Sequence, residues 1–400
     1  MSRLPRTVVA LGAVSLLTDL SSEMIYPLLP VFLVGLGGGP AFLGVVEGVA
    51  ESTAALLKLV SGAVADRTAR RKPLVVLGYG IASVARPLVA LARLPWHVLA
   101  VRFADRIGKG LRTSPRDALL ADAAPAEVRG RAYGLHRAMD HLGAVLGPLA
   151  AFALMHEAGV SVRGVFALAA VPAAAAVLTL LLAVREPERA APAGPPRPLT
   201  IRPPAVPAFR RYLVVLALFT LGNSSDAFLL LRAADVGVRV EHLPLLWAAF
   251  HVVKSALATP LGALSDRIGR RRVIVAGFAV YALAYAGFGA AREAWHAFAL
   301  FAFYGLFFAL TEGAEKALVV DLVPADARGR AFGAFHFTVG LLALPSSALF
   351  GLLWQWKGPA LAFGAGAGLA LAAAALLTVW VPAPAPAPPS ARPPAGASPS

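Results

Sequence analysis

The chain has 400 residues, of which 58% are hydrophobic and 15% charged, with a net charge of +15 and no cysteine. Soluble domains carry about 25% charged residues, so this composition argues against a soluble protein. The lack of cysteine excludes disulfides, thiol catalysis and thiolate metal sites. At roughly 20 apolar residues per membrane helix, the length allows about twelve spans. The positive charge then fits basic cytoplasmic loops better than nucleic-acid binding.

Twelve hydrophobic segments follow one another, separated by glycine, proline and charged clusters. The first segment follows Arg3 and Arg6 as in a signal peptide, but Asp19 and Glu23 interrupt it, so we interpret it as a retained span. We predict membrane-spanning helices at 8–34, 42–64, 74–93, 96–120, 132–156, 163–184, 211–232, 244–264, 273–291, 295–320, 331–353 and 359–381.

Lysine and arginine concentrate at the N-terminus and in every second connection, which places both termini in the cytoplasm. We therefore predict a multi-pass protein of the cytoplasmic (inner) membrane. Residues 185–210 are rich in proline and arginine and are predicted to link a six-helix half at 1–184 to a second half at 211–381. The Pro/Ala-rich segment 382–400 is predicted to be a disordered tail.

The two halves repeat at an offset near 200 residues. GAVADRTARRK at 62–72 matches GALSDRIGRRR at 262–272, and DAAPAEVRGRAYG at 122–134 matches DLVPADARGRAFG at 321–333. Two like-oriented halves predict a binding site between them, near the midplane of the membrane.

The repeated loop sequence carries a family resemblance. GALSDRIGRRR resembles motif A of the major facilitator superfamily, while the first copy has Ala69 where glycine is usual. The resemblance implies an all-α integral membrane fold of twelve transmembrane helices in two pseudo-symmetric halves. It also implies gating roles for Gly62, Asp66, Arg67, Gly262, Asp266 and Arg267. We expect Asp66 or Asp266 to cap a helix end.

Two further motifs lie on the fourth and fifth predicted spans. The run from Arg102 to Gly110 resembles motif B, with Arg102 as its arginine. Gly143, Gly147 and Pro148 form the core of motif C, which is associated with antiporters, although alanines replace its trailing glycines. The alternative interpretation of motif C is a small-residue contact between helices.

Charged residues at membrane depth normally face a cavity or a partner. On the first, fourth, seventh and tenth spans they lie on one side, and the family resemblance implies that these same spans line the central cavity. We predict substrate contacts from Tyr26, Arg102, Arg106, Lys109, Arg112, Asn223 and Tyr304. We predict proton coupling by Asp19, Glu23, Asp226, Glu312 and Glu315.

Other spans carry charges at the expected contact between halves. We expect Asp140 on the fifth span to pair with Lys254 on the eighth. The alternative is that the charges of these spans pair within one half. The histidines show no metal-binding spacing, and we predict neither a metal nor a cofactor.

We predict a secondary transporter that works by alternating access, with proton-coupled export of a small anionic or zwitterionic solute. No Walker A motif is present to use ATP. The alternatives are a multidrug-type exporter of hydrophobic compounds and a receptor or scaffold that does not transport. An enzyme is disfavoured because no compact Ser/His/Asp signature occurs. The expected partners are the solute, protons and lipid, without nucleic acid, and we expect a monomer.

Overall fold

A computed structural model describes residues 4–68, 70–186 and 203–382, and the regular secondary structure in these ranges is helical. Most of the predicted linker and nearly all of the predicted tail lie outside the described residues. The helical segments are α1 (Arg6–Gly35), α2 (Pro40–Arg67), α3 (Lys72–Leu91), α4 (Pro95–Ala123), α5 (Arg129–His156), α6 (Val162–Ala183), α7 (Pro207–Asp235), α8 (Leu243–Ile268), α9 (Arg270–Ala290), α10 (Ala294–Leu322), α11 (Arg328–Lys357) and α12 (Pro359–Trp380).

Ten of these segments, among the described residues, are long and apolar enough to cross a membrane. The other two are α2 and α4, which have 28 and 29 residues and fall short only in composition. Both carry charged residues along their length, and they pack against each other. The fold is therefore the predicted one, a bundle of twelve helical segments in the described ranges, of which α2 and α4 are more charged than the others.

Several segments are not continuous helices. In α1 a 3-10 turn at Tyr26–Leu28 contains Pro27, which has no N–H to donate to the preceding turn. In α7 the helix stops at Gly222 and resumes at Ala227, although the sequence predicted a single span over 211–232. The break in α7 lies near the middle of its segment, and the turn in α1 lies in the second half of its segment.

The two halves meet along α2 with α11 and along α5 with α8. Glycines let the backbones of α2 and α11 approach closely. A methyl group on Gly44 would lie 2.2 Å from the carbonyl oxygen of Ser347, and one on Gly351 would lie 2.4 Å from that of Pro40. The hydroxyl of Ser52 also donates to the carbonyl oxygen of Gly340 at 2.7 Å.

The close contacts lie at the end of the molecule where α2 begins and α11 ends, which we call the closed end. At the opposite end, a methyl added to Gly134, Gly262 or Gly333 would meet no atom within 4 Å. The motif A loops lie at this second end, the open end. If those loops are cytoplasmic, as predicted, the structure is inward-facing.

The second half has an aromatic core. Phe219 stacks on Phe278 at 3.9 Å between ring centroids, and the fully buried rings of Tyr281, Tyr285 and Tyr304 extend the cluster. The wall that the first half presents to the second is instead rich in buried charges. The interior between the halves therefore has one charged side and one aromatic side.

Candidate functional site

A cavity of about 370 Å³ lies between the halves and is bounded mainly by α1, α4 and α7, with contributions from α2, α3, α8, α10 and α11. Of the predicted site residues, those on its wall are Asp19, Glu23, Tyr26, Arg102, Arg106, Lys109, Arg112, Asn223 and Asp226. The wall also includes residues that we had not predicted as ligands, namely Ser22, Glu51, Arg86, Asp105, Thr220, Ser224, Ser225, Trp247, His251, Phe308, Val339, Ala343 and Ser347. One-sided charge identified most of the first group. The serines and aromatic rings of the second group give no sequence signal that separates them from packing residues, and its charged members Glu51, Arg86 and Asp105 were not predicted as ligands.

The break in α7 forms part of the cavity wall. Between its two helical pieces, Asn223 has a non-helical backbone (φ −94°, ψ 84°). The hydroxyl of Tyr281 donates to the carbonyl oxygen of Gly222 at 2.9 Å, which satisfies a group that the break leaves without its helical partner. Irregular backbone at membrane depth is tolerated where it lines a cavity, so this break is suited to ligand binding.

Two cavity carboxylates accept hydrogen bonds from the second half. Glu23 on α1 accepts from the indole Nε1 of Trp247 on α8 at 2.7 Å, with His251 Nε2 at 4.0 Å. Asp226 accepts from the hydroxyl of Tyr304 at 2.7 Å. The contact of Glu23 crosses between the halves, whereas that of Asp226 stays within one.

Most basic residues of the wall already have acidic partners in the first half. Arg102 makes two hydrogen bonds to the buried carboxylate of Glu47, at 3.0 and 2.8 Å. Arg106 lies 3.2 Å from Glu51. Arg86 pairs with Asp105 at 2.7 Å. These pairs neutralise Arg102 and Arg106, two of the four basic residues predicted to bind the solute.

Lys109 and Arg112 differ from these arginines. Within the described part of the chain, neither has an acidic group within ion-pair distance. Arg112 is 4% exposed and lies over the ring of Tyr79 at 4.1 Å, while its Nε and Nη1 have no hydrogen-bond partner. Asp19 interacts electrostatically with both residues. The cavity thus contains two cations able to accept a further anionic group.

Three predicted site residues lie behind or beside the cavity wall. Tyr304 is fully buried and donates a hydrogen bond to Asp226. Glu312 pairs with Lys254 at 3.4 Å and with Lys316 at 3.2 Å, and Glu315 is adjacent to Lys316 in the chain without lining the cavity. The structure therefore places the predicted residues of α1, α4 and α7 on the cavity wall, and those of α10 behind or beside it.

The expected pair between Asp140 and Lys254 is wrong. Asp140 accepts a hydrogen bond from Ser15 on α1 and lies 3.5 Å from His136, while Lys254 pairs with Glu312. The physical reason is that the face of α5 that carries the small residues packs against α1. Asp140 lies on that same face, almost one turn before Gly143, and therefore also faces α1.

Comparison with known proteins settles the family. The sequence profile described as "Major Facilitator Superfamily" matches residues 11–249 and 212–399. The chain belongs to the major facilitator superfamily. It is therefore a multi-pass membrane protein of a transporter family, which is not a class of enzymes. Membership of this family implies a small-molecule substrate.

Relatives and solved structures agree with this membership. An uncharacterized MFS-type transporter of Methanocaldococcus jannaschii is 33% identical over 88% of this chain and 89% of its own. The multidrug resistance protein MdtH of Cronobacter sakazakii is 26% identical over 80% and 79% of the two chains. The fold is similar to that of a POT family transporter in complex with 5-aminolevulinic acid (TM-score 0.79, 13% identity, 94% and 96% covered). It is also similar to an inward-facing bacterial homolog of the human lysosomal transporter Spinster (TM-score 0.71, 18% identity, 95% and 96% covered).

Motif A of the superfamily forms an ion-pair chain in the second half. Asp266 does not cap a helix as expected, because α9 begins after Gly269, whose φ of 96° turns the chain without a side-chain cap. Asp266 instead lies 3.0 Å from Arg270, which also lies 2.8 Å from Asp321. The side chain of Asp66 and the whole of Ala69 lie outside the described residues. In the first half, Arg71 pairs with Asp122.

Basic residues in the last two positions of each motif A copy also contact the C-terminus of the last helix in their half. Lys72 donates to the carbonyl oxygens of Leu181 and Val184 at 3.1 and 2.6 Å, at the C-terminus of α6. Arg271 donates to those of Thr378 and Val381 at 3.3 and 2.8 Å, at the C-terminus of α12. These cations compensate the carbonyl groups that a helix end leaves without partners. The loop thereby fixes the last helix of each half.

Motif C of the superfamily is a close helix contact here. A methyl on Gly143 would lie 2.5 Å from the carbonyl oxygen of Leu16, and one on Gly147 would lie 2.7 Å from that of Leu20. The two glycines therefore pack α5 against the turns of α1 that carry Asp19 and Glu23. This geometry is the alternative interpretation given above, a small-residue contact, and it ties α5 to the acidic face of α1.

Proposed function

We propose that this protein is a proton-coupled secondary transporter that exports a small organic solute with an anionic group, by alternating access of the central cavity. The observation that carries the proposal is the pair of unneutralised cations, Lys109 and Arg112, in a cavity that also holds the carboxylates of Asp19, Glu23 and Asp226. A carboxylate or phosphate of the solute would bind the cations. An amino group of a zwitterion would face the acids.

The proposed coupling follows from the contact of Glu23. Its partner Trp247 belongs to the other half, so rocking of the halves separates the two groups and changes what the carboxylate faces. The positively charged amino group of a zwitterion pairs only with an ionised carboxylate, so its binding beside Asp19 or Glu23 links proton release to solute binding. Export is supported by the motif C core and by the name of the MdtH relative.

A second candidate is export of hydrophobic compounds. It is favoured by the aromatic rings on the cavity wall, Trp247 and Phe308 from the second half and Tyr26 from the first, and by the same multidrug relative. The two candidates differ in what Lys109 and Arg112 do. A hydrophobic cation would be repelled by these residues, whereas an organic anion depends on them.

Ligand binding to the purified protein in nanodiscs tests the proposal. A panel of organic anions, zwitterions and hydrophobic cations would be screened by thermal stabilisation of the wild type, Lys109→Gln, Arg112→Gln and the exposed control Lys357→Gln. We expect an anion or zwitterion to bind, with at least about tenfold weaker affinity in the two cavity variants, equal to about 1.4 kcal/mol. Binding of hydrophobic cations that these substitutions leave unchanged or strengthen would favour the second candidate.

A further inference from the structure

At the closed end, three potential metal ligands from the two halves lie together. They are His156 at the end of α5, and Glu241 and His242 in the 3-10 turn at Val240–His242 just before α8. One ligand atom from each lies within 4.8 Å of the others. Sequence analysis found no metal-binding spacing because His156 is far in the chain from the adjacent Glu241 and His242.

The geometry points to a binding site for a divalent transition-metal ion such as Zn²⁺, which would join the two halves and hold this end closed. Two imidazoles and a carboxylate are a ligand set that zinc uses, with bonds of about 2.0–2.2 Å and a fourth position for water. Ligand atoms around a tetrahedral zinc lie roughly 3.3–3.5 Å apart. His156 Nδ1 and Glu241 Oε1 are 3.9 Å apart, so a small movement completes the site.

The surroundings orient these ligands. The ring of Phe152 stacks on His156 at 5.0 Å and lies 5.9 Å from His242, so one ring of α5 holds both imidazoles together. His156 is 43% exposed and Glu241 28% exposed, so an ion can enter from the aqueous side. Since α5 and the turn before α8 belong to different halves, an ion that binds all three side chains favours the arrangement in which they meet.

The side chain of Arg239 contacts two of the three proposed ligands, so a metal ion would compete with it for them. Its guanidinium lies 3.0 Å from Glu241 and within 3.1 and 3.3 Å of the two ring nitrogens of His242. Its side chain is 67% exposed and can turn into solvent. Without a metal this arginine neutralises Glu241, and with a metal it must leave. Arg239 is therefore expected to weaken metal binding, and its removal to strengthen it.

The first experiment measures Zn²⁺ binding by the full-length protein in nanodiscs, by competition with a chromophoric chelator. We expect one site whose affinity falls at least about tenfold in His156→Ala and in His242→Ala. Affinity should rise in Arg239→Ala and stay unchanged in His97→Ala, a histidine at the same end of the molecule. Equal affinity in wild type, His156→Ala and His242→Ala would overturn the proposed site.

The second experiment tests the link to closure through the same binding measurement. Gly44→Ala and Gly351→Ala place a methyl group 2.2 and 2.4 Å from backbone oxygens across the α2–α11 contact, so each forces the halves apart at the closed end. In variants that remain monodisperse, we expect weaker Zn²⁺ binding than in Gly134→Ala, whose methyl meets open space. Unchanged affinity in both wedge variants would show that the ion does not join the halves.

Discussion

Arg102 and Arg112 lie about three helical turns apart on α4, yet their surroundings give them different roles. Arg102 is held by Glu47, and both are buried, whereas Arg112 has only an aromatic ring and a more distant carboxylate. The sequence could place both on one polar face by their spacing. The sequence could not distinguish the paired arginine from the unpaired one, because pairing depends on which residues of α2 face α4. The structure therefore divides the predicted basic residues of α4 into those paired with carboxylates and those that we propose to bind the ligand.

This division predicts different results for two arginine substitutions. Arg102→Gln leaves Glu47 buried without a counter-charge, which costs about 3–5 kcal/mol, so we expect little folded protein. The double variant Glu47→Gln/Arg102→Gln removes both charges and is expected to recover most of the yield. Fluorescence-detected size exclusion of a tagged protein measures this recovery. If the single variant were produced as well as wild type, the Glu47–Arg102 pair would not be structural.

Glu23 is the residue we expect to carry the proton coupling. Its carboxylate accepts the Trp247 indole hydrogen bond across the halves, and a glutamine can keep that bond but cannot ionise. We expect Glu23→Gln to exchange solute across the membrane while losing its response to a proton gradient. Counterflow and gradient-driven flux in proteoliposomes separate the two activities, with Glu157→Gln as an exposed control. Full gradient dependence in Glu23→Gln would move the proton site to Asp226.

At the scale of helices, contacts between elements decided what the sequence left open. The repeat and the hydrophobic runs predicted all twelve segments, including α2 and α4, which composition alone does not identify. The break at Asn223 was missed because its backbone groups are satisfied by tertiary partners such as Tyr281. The wrong pairing of Asp140 arose because the rotation of α5 is fixed by its glycine contact with α1.

That glycine contact gives a prediction at the same scale. Gly147→Ala places a methyl 2.7 Å from the carbonyl oxygen of Leu20 and 2.9 Å from the Cβ of Glu23. Overlap of this kind costs about 1–3 kcal/mol, so α1 must shift or the protein must lose stability. We expect a lower unfolding temperature and reduced transport, while Gly130→Ala at an open position keeps both. A Gly147→Ala protein as stable and active as wild type would separate motif C from the position of α1.

At the scale of the whole molecule, the two halves meet at the closed end and part at the end that carries motif A. Loop charge predicts that the open end faces the cytoplasm, and with that orientation the structure corresponds to an inward-facing state. The pseudo-symmetry that the sequence showed as a repeat extends to the helix ends, where Lys72 and Arg271, one position apart in the aligned repeat, both donate to the C-terminal carbonyl oxygens of a last helix. The conformational state itself left no signal in the sequence, because one sequence must satisfy both states.

The orientation can be tested directly, because the chain has no cysteine of its own. Ala158→Cys lies just beyond α5 at the closed end, and Arg330→Cys lies in the first turn of α11 at the open end; both positions are exposed. We expect a membrane-impermeant thiol reagent to label Ala158→Cys in intact cells and Arg330→Cys only after lysis. The opposite pattern would reverse the predicted topology.

The central claim is that solute movement through the cavity is coupled to protons and depends on Lys109 and Arg112. The most direct measurement follows a pH indicator enclosed in proteoliposomes while organic anions and zwitterions are added outside. We predict that at least one such solute moves protons in the opposite direction through the wild-type protein and the Lys357→Gln control, but not through Lys109→Gln or Arg112→Gln. Solute flux without proton movement, or proton movement equal in all four proteins, would contradict the account.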